Sequence, residues 1–138
     1  MRSLILDGMR ERWGAGFDPA VNPDVDDMWA SYVAGGGEIV VWVESGAVVG
    51  TGTLVPEADG GGRIMRMSVA RSWRRRGIGR RIVAELVRRA DRRGLRPVRV
   101  STDTPWPEAV GLYAACGFAI VEQDDADTHF ERLPVDAP

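Results

Sequence analysis

From Arg63 to Gly94 the chain runs through an apolar-rich stretch, "RIMRMSVA", a loop, "RSWRRRGIGRR", and a stripe of apolar residues ended by glycine. Ile78, Ile82, Val83, Leu86, Val87 and Ala90 recur every three or four residues, which predicts an amphipathic helix starting near Gly77 with arginines on its other face. Glu85 lies four residues after Arg81 and four before Arg89, a spacing that lets it pair with both along the helix. The stretch at 63–70 reads as a strand with apolar Ile64, Met65, Met67 and Val69. Its imperfect alternation is expected of a central strand covered on both faces. A strand that feeds a long amphipathic helix through glycines demands a sheet with that helix packed against it.

The other elements fit around this unit. Residues 2–13 and Asp24–Ala34 read as helices, the second with Asp24 as N-cap and "GGG" at 35–37 as its stop. Two β-rich runs, 38–44 and 47–55, flank Ser45-Gly46 as a hairpin. "PVRVST" at 97–102 is a strand, and "PEAVGLYAAC" at 107–116 is a helix opened by proline and closed by Gly117. "FAIVE" and "HFERL" are two last strands joined by the acidic turn "QDDADT". The order is helix, helix, three strands, helix, strand, helix, two strands. It predicts one α/β (α+β) domain over residues 1–138, with helices packed on a mixed sheet.

Charge singles out the same region. Every basic residue is an arginine, and residues 63–99 hold fourteen of them against only Glu85 and Asp91. Residues 1–62 hold three arginines and ten acids, and residues 100–138 one arginine and eight acids. A basic block between acidic flanks points to a local anion site. No run of eighteen apolar residues offers a membrane span. "MRSLILDGMRERW" does not read as a signal peptide, so a soluble cytoplasmic protein is expected. Cys116 and His129 are the only cysteine and histidine, too few for a Cys/His zinc site, and no metal is expected.

Six of the eleven residues from Arg71 to Arg81 are arginine, with Gly77 and Gly79 among them. A helix start leaves up to four N–H groups unpaired, and its dipole favours an anion by about 0.3–1 kcal/mol. Glycines let a phosphate approach those groups, and arginines add forked donors. The pattern suits a pyrophosphate. A dinucleotide-binding G-x-G-x-x-G fails because Ile82 holds the third position, and a Walker loop fails for want of lysine. A solvated helix face stays open as an alternative. So does a nucleic-acid patch, although the acidic flanks would repel a long polyanion.

Two segments together resemble the GNAT superfamily of N-acetyltransferases. "MSVARSWRRRGIGRRIV" resembles its [R/Q]-x-x-G-x-[G/A] signature through Arg74, Gly77 and Gly79, and "EAVGLYAACGF" resembles its second segment through Ala109, Leu112, Tyr113, Gly117 and Phe118. The likeness covers residues 38–122. It implies the acyl-CoA N-acyltransferase fold: a mostly antiparallel central sheet with a splayed parallel strand pair and helices on both faces. It implies acetyl-CoA as donor and an amine, small molecule or peptide, as acceptor, joined by direct attack in a ternary complex. The alternative is a non-catalytic acyl-CoA-binding module of the same fold. A homodimer is implied at the same level.

The resemblance also implies roles. The diphosphate of coenzyme A would sit on Arg74, Arg75, Arg76, Gly77, Ile78, Gly79 and Arg80. The pantetheine arm would pair with the backbone of Met67, Ser68 and Val69, with an N–H near Met67 facing the acyl carbonyl. Tyr113 would be the acid for the leaving thiolate, though by itself it also reads as a core aromatic. Asp103, Glu38 and Glu44 are candidate bases, Arg66 is a candidate grip on an acceptor carboxylate, and a Cys116–His129 pair is a distant option. Trp13, Phe17, Trp29 and Tyr32 fall where such folds line the acceptor side. Trp106 stands where relatives often carry asparagine.

Overall fold

The computed structural model describes residues 33–132, so the expected helix at 2–13, nearly all of that at Asp24–Ala34, and Trp13, Phe17, Trp29 and Tyr32 lie outside the described residues. Six strands and two α-helices follow in order among the described residues. They are β1 (Glu38–Glu44), β2 (Ala47–Pro56), β3 (Gly62–Val69), α1 (Ile78–Arg93), β4 (Val98–Asp103), α2 (Pro107–Ala115), β5 (Ala119–Gln123) and β6 (Asp127–Arg132). The expected elements of this region are all present, with bounds shifted by a residue or two.

The strands form one mixed sheet in the order β1-β2-β3-β4-β6-β5. All neighbours are antiparallel except β3 and β4, which are parallel and pair only at Gly62↔Val98 and Arg63↔Arg99. Beyond those two residues the strands part. The base of the parted pair is fastened by charge: Arg63 meets Glu57 at 3.1 Å, and Arg99 meets Glu57 at 3.1 Å and Asp59 at 2.8 Å. The Arg99 guanidinium and the Gly61 N–H hold the Asp59 carboxyl below its ordinary range.

The apolar stripe of α1 is buried along its whole length, against Leu54, Ile64 and Val100 of the sheet. Gly50 and Gly52 let the helix settle close. A Cβ on Gly52 would lie 2.6 Å from Met67 Sδ, 2.8 Å from Ile82 Cγ2 and 2.9 Å from Leu86 Cδ1. Overpacking of this kind costs about 1–3 kcal/mol. Gly52→Ala should therefore lower the thermal midpoint by about 5–10 °C, as read by circular dichroism or calorimetry. A midpoint within a degree of wild type would mean that the helix seat is loose.

The outer arginines of α1 divide into two groups. Arg88 and Arg89 clasp Glu85, whose carboxyl falls to about 2 chiefly through the hydrogen bond from Arg88 and then that from Arg89. Arg89 and Arg93 also reach across to Glu38 on β1 at 3.2 and 2.9 Å. This half of the helix fits the solvated-face alternative. The first turn differs, because it contains no acidic residue.

Candidate active site

The end of β3 leads into the helix start through a tightly held loop. Ala70 N donates to Val49 O at 2.8 Å, and a 3-10 turn follows at Arg71–Trp73. Arg74 Nε donates back to the Val69 carbonyl at 2.9 Å, folding the loop onto the strand it leaves. Gly77 takes φ +80°, a conformation that L side chains rarely adopt, and Arg75 is also left-handed at +63°. Gly77 is the N-cap of α1, and no side chain caps it. The bond from Arg81 N to Gly77 O, 3.1 Å, begins the helical ladder. The amides just ahead of it have no intrahelical acceptor, which leaves them for an anion.

Beside this helix start lies a bulge. Thr51 pairs with Ser68 and Thr53 with Met65, so Arg66 and Met67 together oppose Gly52. Arg66 takes φ +54°, a conformation that costs a non-glycine residue about 1–3 kcal/mol. The imperfect alternation of β3 therefore has a cause beyond burial on two faces: an extra residue shifts the strand's phase midway. Past the bulge β3 has β2 on one side and the gap toward β4 on the other.

The gap opens a cleft of about 920 Å³. Met67, Ser68 and Val69 line one wall, and Arg74, Arg75, Gly77, Ile78, Gly79 and Arg80 line the end nearest α1. Val100, Ser101 and Thr102 of β4, with Trp106, Leu112 and Tyr113, line the other wall. Of the residues expected around a cofactor, only Arg76 stands off this lining; its guanidinium lies 4.7 Å over the Trp73 ring instead. Gly79 is not forced by protein packing, since a Cβ there would sit 3.5 Å from Leu112, an ordinary contact.

Tyr113 is 4% exposed, wedged against Phe118 and Phe130 with ring centroids 5.9 and 5.7 Å away. It belongs to the core and to the cleft wall at once. Trp106 precedes α2 without capping it through its side chain, and joins the cleft. Arg63 and Arg66 also line it.

The early-strand carboxylates do not reach it. Glu38 is held by Arg89 and Arg93, and Glu44 accepts from Trp42 Nε1 at 2.9 Å. Asp103 is also absent from the lining, whereas Glu108, in the first turn of α2, belongs to it. The Cys116–His129 pairing is overturned. Cys116 ends α2 near Arg80 and Arg132, with burial as the main influence pushing its thiol up against their pull. His129 Nδ1 instead lies 2.7 Å from Ser101 Oγ. That contact joins strands 28 residues apart through the register Ser101↔His129. Local patterning carries no trace of it.

This arrangement matches known proteins. The family model described as Acetyltransferase (GNAT) family matches residues 3–118. No curated protein matches significantly. A GNAT-family acetyltransferase from Staphylococcus aureus superposes with a TM-score of 0.85 at 16% identity, covering 95% of this chain and 89% of that one. An acetyltransferase from Streptococcus agalactiae gives 0.83 at 14% identity, covering 96% and 91%. A GNAT-family acetyltransferase from Elizabethkingia anophelis, with acetyl-CoA bound, gives 0.68 at 14% identity over 88% and 94%. These likenesses establish the acyl-CoA N-acyltransferase fold. With the family match spanning most of the sequence, the chain that parts β3 from β4 beside an uncapped glycine-led helix belongs to the GNAT family of acetyltransferases.

Proposed function

We propose that residues 1–138 form one domain that transfers the acetyl group of acetyl-CoA to a primary amine by direct attack in a ternary complex. The observation that carries this reading is the parting of β3 from β4 beside a bulge and a helix start without a side-chain cap. Acetyl-CoA, present in the Elizabethkingia anophelis relative, supplies an activated acyl group as a thioester. The residues here suit it. The amides of Gly77–Arg80, with Arg74, Arg75 and the nearby Arg76, would hold its diphosphate. The backbone of Met67–Val69, free of β4, would pair with its extended arm. At the bulge, an N–H near Met67 would face the acyl oxygen, where charge develops. Tyr113 would supply a hydrogen bond to the departing sulfur.

Arg66 on the cleft wall is the candidate grip for an acceptor that also carries a carboxylate. A homodimer in the cytoplasm belongs to the same reading on family likeness, and light scattering would check the mass.

Acetyl-CoA at about a hundred times its dissociation constant should stabilise the protein by about 2.7 kcal/mol, visible as a rise in thermal midpoint of several degrees. Thiol release should then appear with at least one primary amine. Binding without release across an amine panel would reduce the protein to a binding module, and no thermal shift would remove the cofactor itself.

A further inference from the structure

Deprotonation of the acceptor amine falls to no carboxylate of β1, and the structure offers another group. We propose that Ser101 and His129 form a proton relay that serves as the base for the acceptor. The inference rests on the acetyltransferase reading above.

Ser101 stands on β4 past the last residue paired with β3, and it lines the cleft. Its Oγ accepts from Arg63 Nη1 at 3.1 Å and lies 2.7 Å from His129 Nδ1. A hydroxyl has one proton. In the proposed relay that proton points at Nδ1, and His129 is the tautomer protonated on Nε2. A second lone pair of Oγ remains toward the cleft. Arg63 is itself held by Glu57 at 3.1 Å, so its charge next to the relay is partly offset.

The step balances. As the amine nitrogen bonds the acyl carbon and the carbon–sulfur bond breaks, an N–H proton passes to Ser101 Oγ. The hydroxyl proton passes to His129 Nδ1, and the sulfur takes a proton from Tyr113. As the products leave, Nδ1 returns its proton to Ser101 Oγ, whose own proton passes to water entering the cleft, and Tyr113 regains a proton from water, so both groups are restored. Ser101 is the catalytic residue, and His129 acts through it.

The charges around the ring favour this. Glu122 faces His129 across the β5–β6 ladder, and Asp127 and Glu131 lie two residues either side of it on β6. Asp103 and Arg99 flank Ser101 on β4, and Arg99 is tied to Glu131 at 3.5 Å. Asp124 has its carboxyl held low by the N–H groups of Asp127 and Ala126, and then by attraction to His129. Among the described residues, carboxylates outnumber guanidiniums around the ring.

The test measures kcat/KM against pH for full-length wild type, Ser101→Ala, Ser101→Thr and His129→Gln. It uses acetyl-CoA with tyramine, spermidine and an alanyl peptide, and follows the fastest of the three. The expected result is a fall of about 10²-fold for Ser101→Ala and His129→Gln, with recovery in Ser101→Thr. The ascending limb of the wild-type pH profile should be missing in His129→Gln. Acetyl-CoA should raise the thermal midpoint equally in all four. Variants with wild-type rates, or a uniform loss that keeps the ascending limb, overturn the relay and leave the acetyltransferase reading standing. A wild type that releases no coenzyme A with any amine overturns that reading and the relay together. His129 is the only histidine, so its nitrogen resonances are unambiguous; a neutral ring carrying its proton on Nδ1 also overturns the relay.

Discussion

Tyr113→Phe should lower kcat by about 10²-fold while acetyl-CoA binds as before. The substitution removes one oxygen and keeps the ring. Phe118 and Phe130 fix that ring from two sides, so the shape of the wall survives the change. On the proposed role, the hydrogen bond to the departing sulfur goes with that oxygen. A thiolate expelled without such help is a poorer leaving group, and the loss falls on turnover and not on ground-state binding. Steady-state kinetics with the best available amine, beside a thermal-shift titration with acetyl-CoA, separates the two. An unchanged kcat would remove Tyr113 from the chemistry. A lost thermal shift would make it a packing residue of the cofactor wall.

Gly79→Asp should weaken coenzyme A binding by about 10²-fold, or about 2.7 kcal/mol, without weakening the fold. The position tolerates a side chain, since a Cβ meets only Leu112 and Val69 at 3.5 and 3.8 Å. A carboxylate in the first turn is favourable to a helix, because it satisfies the amides and the dipole. The same carboxylate occupies the groups that a diphosphate needs and repels its charge. Stability and binding should thus move in opposite directions, which ordinary damage does not do. Calorimetric titration with coenzyme A and a thermal melt of the free protein give the two numbers. Binding at wild-type strength would place the diphosphate elsewhere.

What the sequence exposed was local. The stripe from Ile78 to Ala90, the glycine at Gly94 and the proline at Pro107 each act within a few residues, and α1 and α2 lie where those signals put them. The motif pair around Gly77 and Tyr113 marks residues on two sides of the cleft. What it concealed depends on register between distant strands. The bulge at Arg66 and Met67 exists because Gly52, on another strand, accepts Met67 and the underside of α1. Ser101 meets His129 because β6 runs back antiparallel beside β4, and a slip of one residue would turn the pair to opposite faces. Glu38 read as a candidate base, and only the packing of α1 over β1 shows it clasped by two arginines.

The two-residue join between β3 and β4 has a consequence for how such a protein can diversify. On the proposed reading, the residues assigned to the carrier's diphosphate and arm lie on the β3–α1 side of that seam, while Tyr113 and the proposed Ser101–His129 pair stand beyond it. The strand ladder that joins the halves is only two residues long, so substitutions on the far side could retune the choice of acceptor while the near side keeps its hold on the donor. The seam makes one half free to drift and the other free to stay put.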